Sequence, residues 1–202
     1  MAKGRKKSTQ LTFMTKDRRL FQALAKTGRA TAEQTSKYYN TKEKRLRRFI
    51  KEGYLKKEPI MVDGKKGKKA TYCFRLTDQG KKWVKENLAT VDCLYKPTTK
   101  GTPHDVKLFE KYSNLTEYEQ DIALTENDVV KRWGKLKGTS PPDLVVPSFK
   151  TTSEITNITR TVEMKVIEIT TKTYTQKDID AKEAYVKELI GKEVSVDYDK
   201  AN

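Results

Sequence analysis

The sequence predicts a mixed α+β chain in two parts, helices closed by a hairpin and then strands closed by a helix. Three observations carry this. Apolar residues recur at helical spacing between positions 15 and 51, so the chain opens with helices. Two β-rich runs flank a glycine- and lysine-rich turn at 63–69 and mark a hairpin. Two further apolar, strand-like runs, around 143–149 and 160–171, precede a last helical pattern.

The charge divides along the same line. Residues 1–100 hold 28 Lys and Arg against 9 Asp and Glu, a net of +19, whereas residues 101–202 hold 15 against 18, a net of −3. A polyanionic partner is therefore expected for the first part only. No amphipathic helix with a broad apolar face accompanies the charge, which favours nucleic acid over a membrane surface. Cys73 and Cys93 stand 20 positions apart with no C-x-x-C spacing, and read as reduced thiols of a cytoplasmic protein. The single His104 excludes a multi-histidine metal cage. No apolar run reaches membrane-spanning length, and the N-terminus lacks a signal-peptide core.

Residues 1–13 form a basic arm in which Arg5, Lys6 and Lys7 can follow a DNA backbone or enter a minor groove. From Thr15, read as a cap, Leu20, Phe21, Leu24 and Ala25 make the apolar stripe of a first helix ending at Gly28. Thr31 opens a short second helix, and Gln34 completes a capping box with it. A turn at Asn40 leads to TKEKRLRRFIKEG, positions 41–53. There Leu46, Phe49 and Ile50 share one face, while Lys42, Lys44, Arg45, Arg47 and Arg48 occupy the rest. Thr41 is expected to cap this helix and Gly53 to end it in the left-handed conformation.

A narrow buried stripe under a broad cationic face is what a DNA recognition helix needs. Helix, short helix, tight turn and basic helix make a helix-turn-helix. The hairpin that follows carries Lys65, Lys66, Lys68 and Lys69 at its tip, so it reads as a wing along the DNA backbone. The helix at 76–88, capped by Thr77, closes a winged helix-turn-helix over 14–89. Here TKDRRLFQALAKTGRATAEQTSKYY, KRLRRFIKEGYLKK and YCFRLTDQG resemble the replication-relaxation family of plasmid and integrative-element proteins. The resemblance implies a duplex-DNA-binding protein that serves replication, mobilisation or transcription of a mobile element.

Residues 90–102, rich in Thr, Pro and Gly, are expected to be a linker. Residues 103–202 then read as a small α/β domain. His104 is taken as a helix-start or hydrogen-bonding residue, since no partnered serine or cysteine supports a nucleophilic triad. Asp143 enters an apolar strand, and Glu163 follows with 19 residues between them, with Lys165 at i+2. This order is similar to the PD-(D/E)xK nuclease-like fold, as the replication-relaxation resemblance also implies. Asp143 and Glu163 would hold Mg2+ against a scissile phosphate, and Lys165 would orient the attacking water. Glu110 is a further candidate ligand. The acidic strand position aligns equally with Glu168, followed by Thr170 rather than lysine. Glu168 faces the opposite way from Glu163, so only one register can be correct. Three functions stay open: a DNA-binding accessory factor, a metal-dependent endonuclease, and a C-terminal domain that recruits a partner or self-associates.

Overall fold

The computed structural model describes residues 11–64, 67–98, 101–154 and 157–201, with side chains for all of these but 62–64, 67, 68, 149–154 and 157–162. The basic arm with Arg5, Lys6 and Lys7, and the tip residues Lys65 and Lys66, lie outside the described residues. The chain is mixed α+β, in the order α1 (Thr15–Thr27), β1 (Ala30–Thr31), α2 (Ala32–Tyr39), α3 (Glu43–Lys51), β2 (Leu55–Gly64), β3 (Gly67–Leu76) and α4 (Asp78–Asn87). There follow α5 (Thr102–Ser113), α6 (Glu117–Ile122), β4 (Leu124–Thr125), α7 (Glu126–Trp133), β5 (Leu144–Glu154), β6 (Asn157–Thr170), α8 (Gln176–Tyr185) and β7 (Val196–Lys200).

Local signals act where expected, with two shifts. Thr31 and Gln34 close the capping box of α2, and Thr77 accepts from Gly80 N at the start of α4. Asn40 takes the left-handed conformation after α2, and Gly53 has φ +78 after α3. Thr15 is the first helical residue of α1 rather than its cap, because Asp17 Oδ2 reaches back to the Met14 N–H at 2.7 Å. Thr41 does not cap α3 either. It is fully buried and donates its hydroxyl hydrogen to the Tyr39 carbonyl at 3.2 Å, which leaves the N-cap position to Lys42.

The hairpin is longer and tighter than the lysine-rich run suggested, pairing from Leu55↔Leu76 out to Gly64↔Gly67. The two residues of β1 add a third strand, in the order β1-β3-β2. The second sheet has the order β4-β5-β6-β7, with β7 parallel to β6 and the other pairings antiparallel. Over Leu144–Val146 of β5 and Val166–Ile169 of β6, both faces of the sheet are buried. Leu144, Val146, Ile167 and Ile169 pack into a core shared with Leu20 and Phe21 of α1 and Leu108, Phe109 and Tyr112 of α5. Val145 and Val166 turn the other way, against Val129, Tyr185 and Val186.

The larger core therefore runs from the three-helix part into the second sheet without a break. The expected linker takes part in it. Val91 is buried, and the Tyr95 N–H donates to the Ala25 carbonyl at 2.8 Å. Val91, Leu94 and Tyr95 are the apolar residues that a reading of Thr, Pro and Gly content passes over. Among the described residues no helix is long and apolar enough to cross a membrane.

Gly80 offers a test of the packing. Alanine in a helix normally gains up to about 1 kcal/mol over glycine. Here a Cβ would overlap the Tyr54 carbonyl oxygen and stand 3.2 Å from Leu76 Cδ2. The clash should win, so Gly80→Ala is expected to destabilise by about 1–3 kcal/mol, read as a lowered midpoint in thermal denaturation.

Candidate nucleic-acid interface and a buried ionic cluster

On α3, Leu46 and Phe49 are buried and Ile50 is half-buried, which fixes the helix against the core. Lys42, Lys44, Arg47 and Arg48 are exposed on the opposite side. An open groove beside them is lined by Met14, Lys16, Asn40, Lys42, Lys44, Arg45 and Arg48, with no carboxylate among the lining residues. Lys69 of the hairpin is exposed, and for Lys68 the backbone alone is described.

The cations of α3 are not equivalent. Arg47 pairs with Glu43 at 2.8 Å, both well exposed, so this pairing costs little to exchange for a phosphate. Arg45 turns inward. Its Nη2 lies 2.6 Å from Asp17 Oδ2 and 2.5 Å from the Thr12 carbonyl, and its guanidinium sits over the Phe49 ring. Asp17 is fully buried, so Arg45 is needed to neutralise it, and its guanidinium is committed inward although the residue lines the groove.

The second cluster lies where β5 begins and β6 ends. The register Leu144↔Ile167 continues to Asp143 opposite Glu168. The Asp143 N–H donates to Glu168 Oε2 at 3.0 Å, and the Ile169 N–H donates to Asp143 Oδ2 at 2.8 Å. Glu163 pairs instead with Ser148, five residues along the strand from Glu168, or about 17 Å at ~3.4 Å per residue. Glu163 and Lys165 are both exposed. The triad of Asp143, Glu163 and Lys165 therefore does not come together. Antiparallel pairing fixes the sum of paired positions, and the Glu168 register satisfies it. Glu110 stands on α5 beside Lys107, at 3.3 Å, and does not join the cluster.

The lysine absent from position 170 is supplied by another element. Lys182 of α8 places Nζ 2.8 Å from Glu168 Oε1 and 2.6 Å from the Pro141 carbonyl, with only 9% of its side chain exposed. Lys182 interrupts the apolar stripe that Ile179, Val186, Leu189 and Ile190 make in the sequence of this last helical segment. That interruption, a lysine on the buried side of a helix, was the signal for a buried carboxylate opposite it. Tyr174 also donates to Glu168.

His104, in the first turn of α5, donates from Nε2 to Asp143 Oδ2 at 2.9 Å, and its Nδ1 lies 3.5 Å from Asp105 Oδ1. Tyr95 donates to Asp105 Oδ1 at 2.7 Å, and Arg29 pairs with Asp105 on the other side. Burial disfavours a charged imidazole here. The hydrogen bonds and charges of Asp105 and Asp143 outweigh it and raise His104 to about 10. Burial, and then the Asp143 charge, push Glu168 up to about 7 against the pull of Lys182. Asp143 is lowered: burial raises it, but His104 and Lys182 prevail.

These residues do not fit a ready divalent-cation site. Asp143 Oδ2 and both Glu168 oxygens are already engaged by donors, and Lys182 and protonated His104 balance the two carboxylates. Among the described residues no group of three His, Cys, Asp or Glu side chains is placed to hold a metal. Comparison of the chain with protein-family models and with curated proteins returns no match.

The His104 hydrogen bonds set a pH dependence. Its folded-state value lies above the ordinary one near 6.5, so its contribution is complete below about pH 6.5 and is lost as pH rises through about 10. Wild-type stability, measured by denaturant unfolding, is expected to fall across that window. In His104→Gln the fall should be shallower, from a lower starting stability. Equal slopes in the two proteins would show that His104 is not charged in the folded state.

Proposed function

We propose that the protein is a site-specific duplex-DNA-binding protein of winged helix-turn-helix type. In this reading α3 enters a major groove and the β2–β3 hairpin lies along the backbone. The observation that carries it is the groove of Lys16, Lys42, Lys44 and Arg48, lined by no carboxylate and held outward by the buried Leu46–Phe49 stripe. A helix presented this way offers cations to phosphates and polar tips to base edges. The likeness of residues 14–89 to replication-relaxation proteins supports an accessory or regulatory role in replication, mobilisation or transcription of a mobile element, in the cytoplasm. The charge asymmetry supports a DNA-facing first part and a second part that does not follow the backbone.

The test is the salt dependence of binding, followed by fluorescence anisotropy on a duplex selected by footprinting. Every phosphate that the protein ceases to neutralise lowers the log–log slope by about 0.9. Replacing Lys42, Lys44 and Arg48 together by alanine should lower it by about 2–3 while the protein stays folded. Arg45→Ala should act differently, since it strips a partner from buried Asp17. A drop of about 3 kcal/mol in folding stability is expected there, with little change in the slope. An unchanged slope in the triple variant would remove α3 from the interface.

A second reading, a metal-dependent endonuclease, is favoured by the convergence of Asp143, Glu168 and Lys182 at one point. It would need the bonds from Lys182 and Tyr174 to Glu168 to give way. Incubating a labelled duplex with the wild type and with Asp143→Asn, with and without Mg2+ or Mn2+, tests it. The closed, charge-balanced cluster predicts intact DNA in every lane. Metal-dependent cleavage by wild type, abolished in Asp143→Asn and unaffected by Glu163→Gln, would establish the enzyme with Glu168 in place of Glu163.

A further inference from the structure

Charged side chains of alternating sign run from the hairpin to the second sheet. On the hairpin, Glu58 of β2 accepts from Arg75 of β3 at 2.5 Å, and Lys56 Nζ stands 3.5 Å away. The other Glu58 oxygen lies 3.4 Å from Arg29 Nε. Arg29 pairs with Asp105 and also donates to the Thr98 carbonyl at 2.9 Å. Asp105 meets His104, His104 meets Asp143, and the Asp143 backbone meets Glu168 with its Lys182.

We propose that this chain of charges couples the hairpin to the Asp143–Glu168 cluster, so that a duplex lying on the hairpin changes how His104 is held by Asp105 and Asp143. The inference rests on the DNA-binding reading above. Two features distinguish it from static scaffolding. Inner members are shared among partners at unequal distances: Glu58 at 2.5, 3.4 and 3.5 Å, and His104 at 2.9 and 3.5 Å. Weakening one pairing therefore strengthens the other rather than leaving an unpaired charge. The chain of charges also opens to solvent at one end only. Lys56 and Arg75 are 46% and 22% exposed, whereas Lys182 and Glu168 at the other end are 9% and 1%.

A DNA phosphate at the hairpin competes with Glu58 for Lys56 and Arg75. Glu58, deprived of partners there, draws on Arg29. Arg29 then holds Asp105 less closely, and Asp105 turns to His104. Pairs inside the protein interact far more strongly than surface pairs, which lets the exchange travel inward. Its end point is the cluster at which the second part of the chain presents two carboxylates and a lysine.

The chain contains one histidine, so its imidazole gives a single set of ring resonances. The experiment records them by heteronuclear NMR in the full-length protein, with and without a mixed-sequence duplex at low salt. Anisotropy on the same samples reports binding. The wild type is expected to bind and to shift its ring resonances. Glu58→Gln, which frees Lys56 and Arg75 for phosphate, is expected to bind at least as tightly as the wild type and to show no shift. Should that variant fail to fold, Lys56→Gln cuts the same link at an exposed side chain and should reduce the shift. Binding without any shift in the wild type would overturn the coupling and leave the DNA-binding reading standing. A shift that persists in the folded variant would overturn the proposed route. No binding at all would overturn both readings.

Discussion

Arg29 and Asp105 face each other with side chains 5% and 0% exposed, and the rest of the structure is arranged around keeping them paired. Arg29 precedes β1, in the first part of the chain, and Asp105 lies in the first turn of α5, in the second. Removing either would leave a buried charge uncompensated, an expensive state. Their neighbours are recruited accordingly. Tyr95 donates to Asp105 from the connecting segment, and the Thr98 carbonyl accepts from Arg29. The segment between the two parts is therefore held on both sides, and the apolar core can continue from α1 across α5 into β5 and β6. A hydrophobic interface alone would allow the two parts to slide; a buried ion pair fixes their register.

Burial also separates the cations that face solvent from those that hold the fold. A count of Lys and Arg over residues 1–100 treats them alike, but Lys26, Arg29 and Arg45 are turned inward. Lys26 donates to the Ala123 carbonyl at 2.7 Å at the end of α6. What remains outward on α3 and its N-cap is Lys42, Lys44, Arg47, Arg48 and Lys51. The outward cationic face is smaller than the count implied, and Arg45, one of its guanidinium candidates, is a structural residue.

Legibility in the sequence followed the range of the interaction. The Thr31–Gln34 box, the Thr77 cap, the left-handed Gly53 and the Leu46–Phe49 stripe are set within a few residues, and all were readable. Caps at Thr15 and Thr41 were not, because Asp17 and the buried turn at Tyr39 compete for the same backbone groups. β1 and β7 gave no usable pattern, being short strands specified by what they pair with. The choice between Glu163 and Glu168 depended on the pairing of β5 with β6, a long-range fact that spacing alone leaves open. Lys182, Tyr95 and the His104–Asp143 hydrogen bond come from elements far apart in sequence. Their only local trace is a polar residue where an apolar one would be expected.

The buried Arg29–Asp105 pair makes the two parts one cooperative unit. Trp83 on α4 and Trp133 at the end of α7 give each part its own fluorescent reporter. Denaturant unfolding of Trp83→Phe and Trp133→Phe, each with one remaining tryptophan, measures the two parts separately. If the pair couples them, the tryptophan signal in each of these proteins loses its native value at the same denaturant concentration as the far-ultraviolet circular dichroism, and neutralising Asp105 separates the two. A tryptophan transition already displaced from the circular dichroism with the ion pair intact would contradict it.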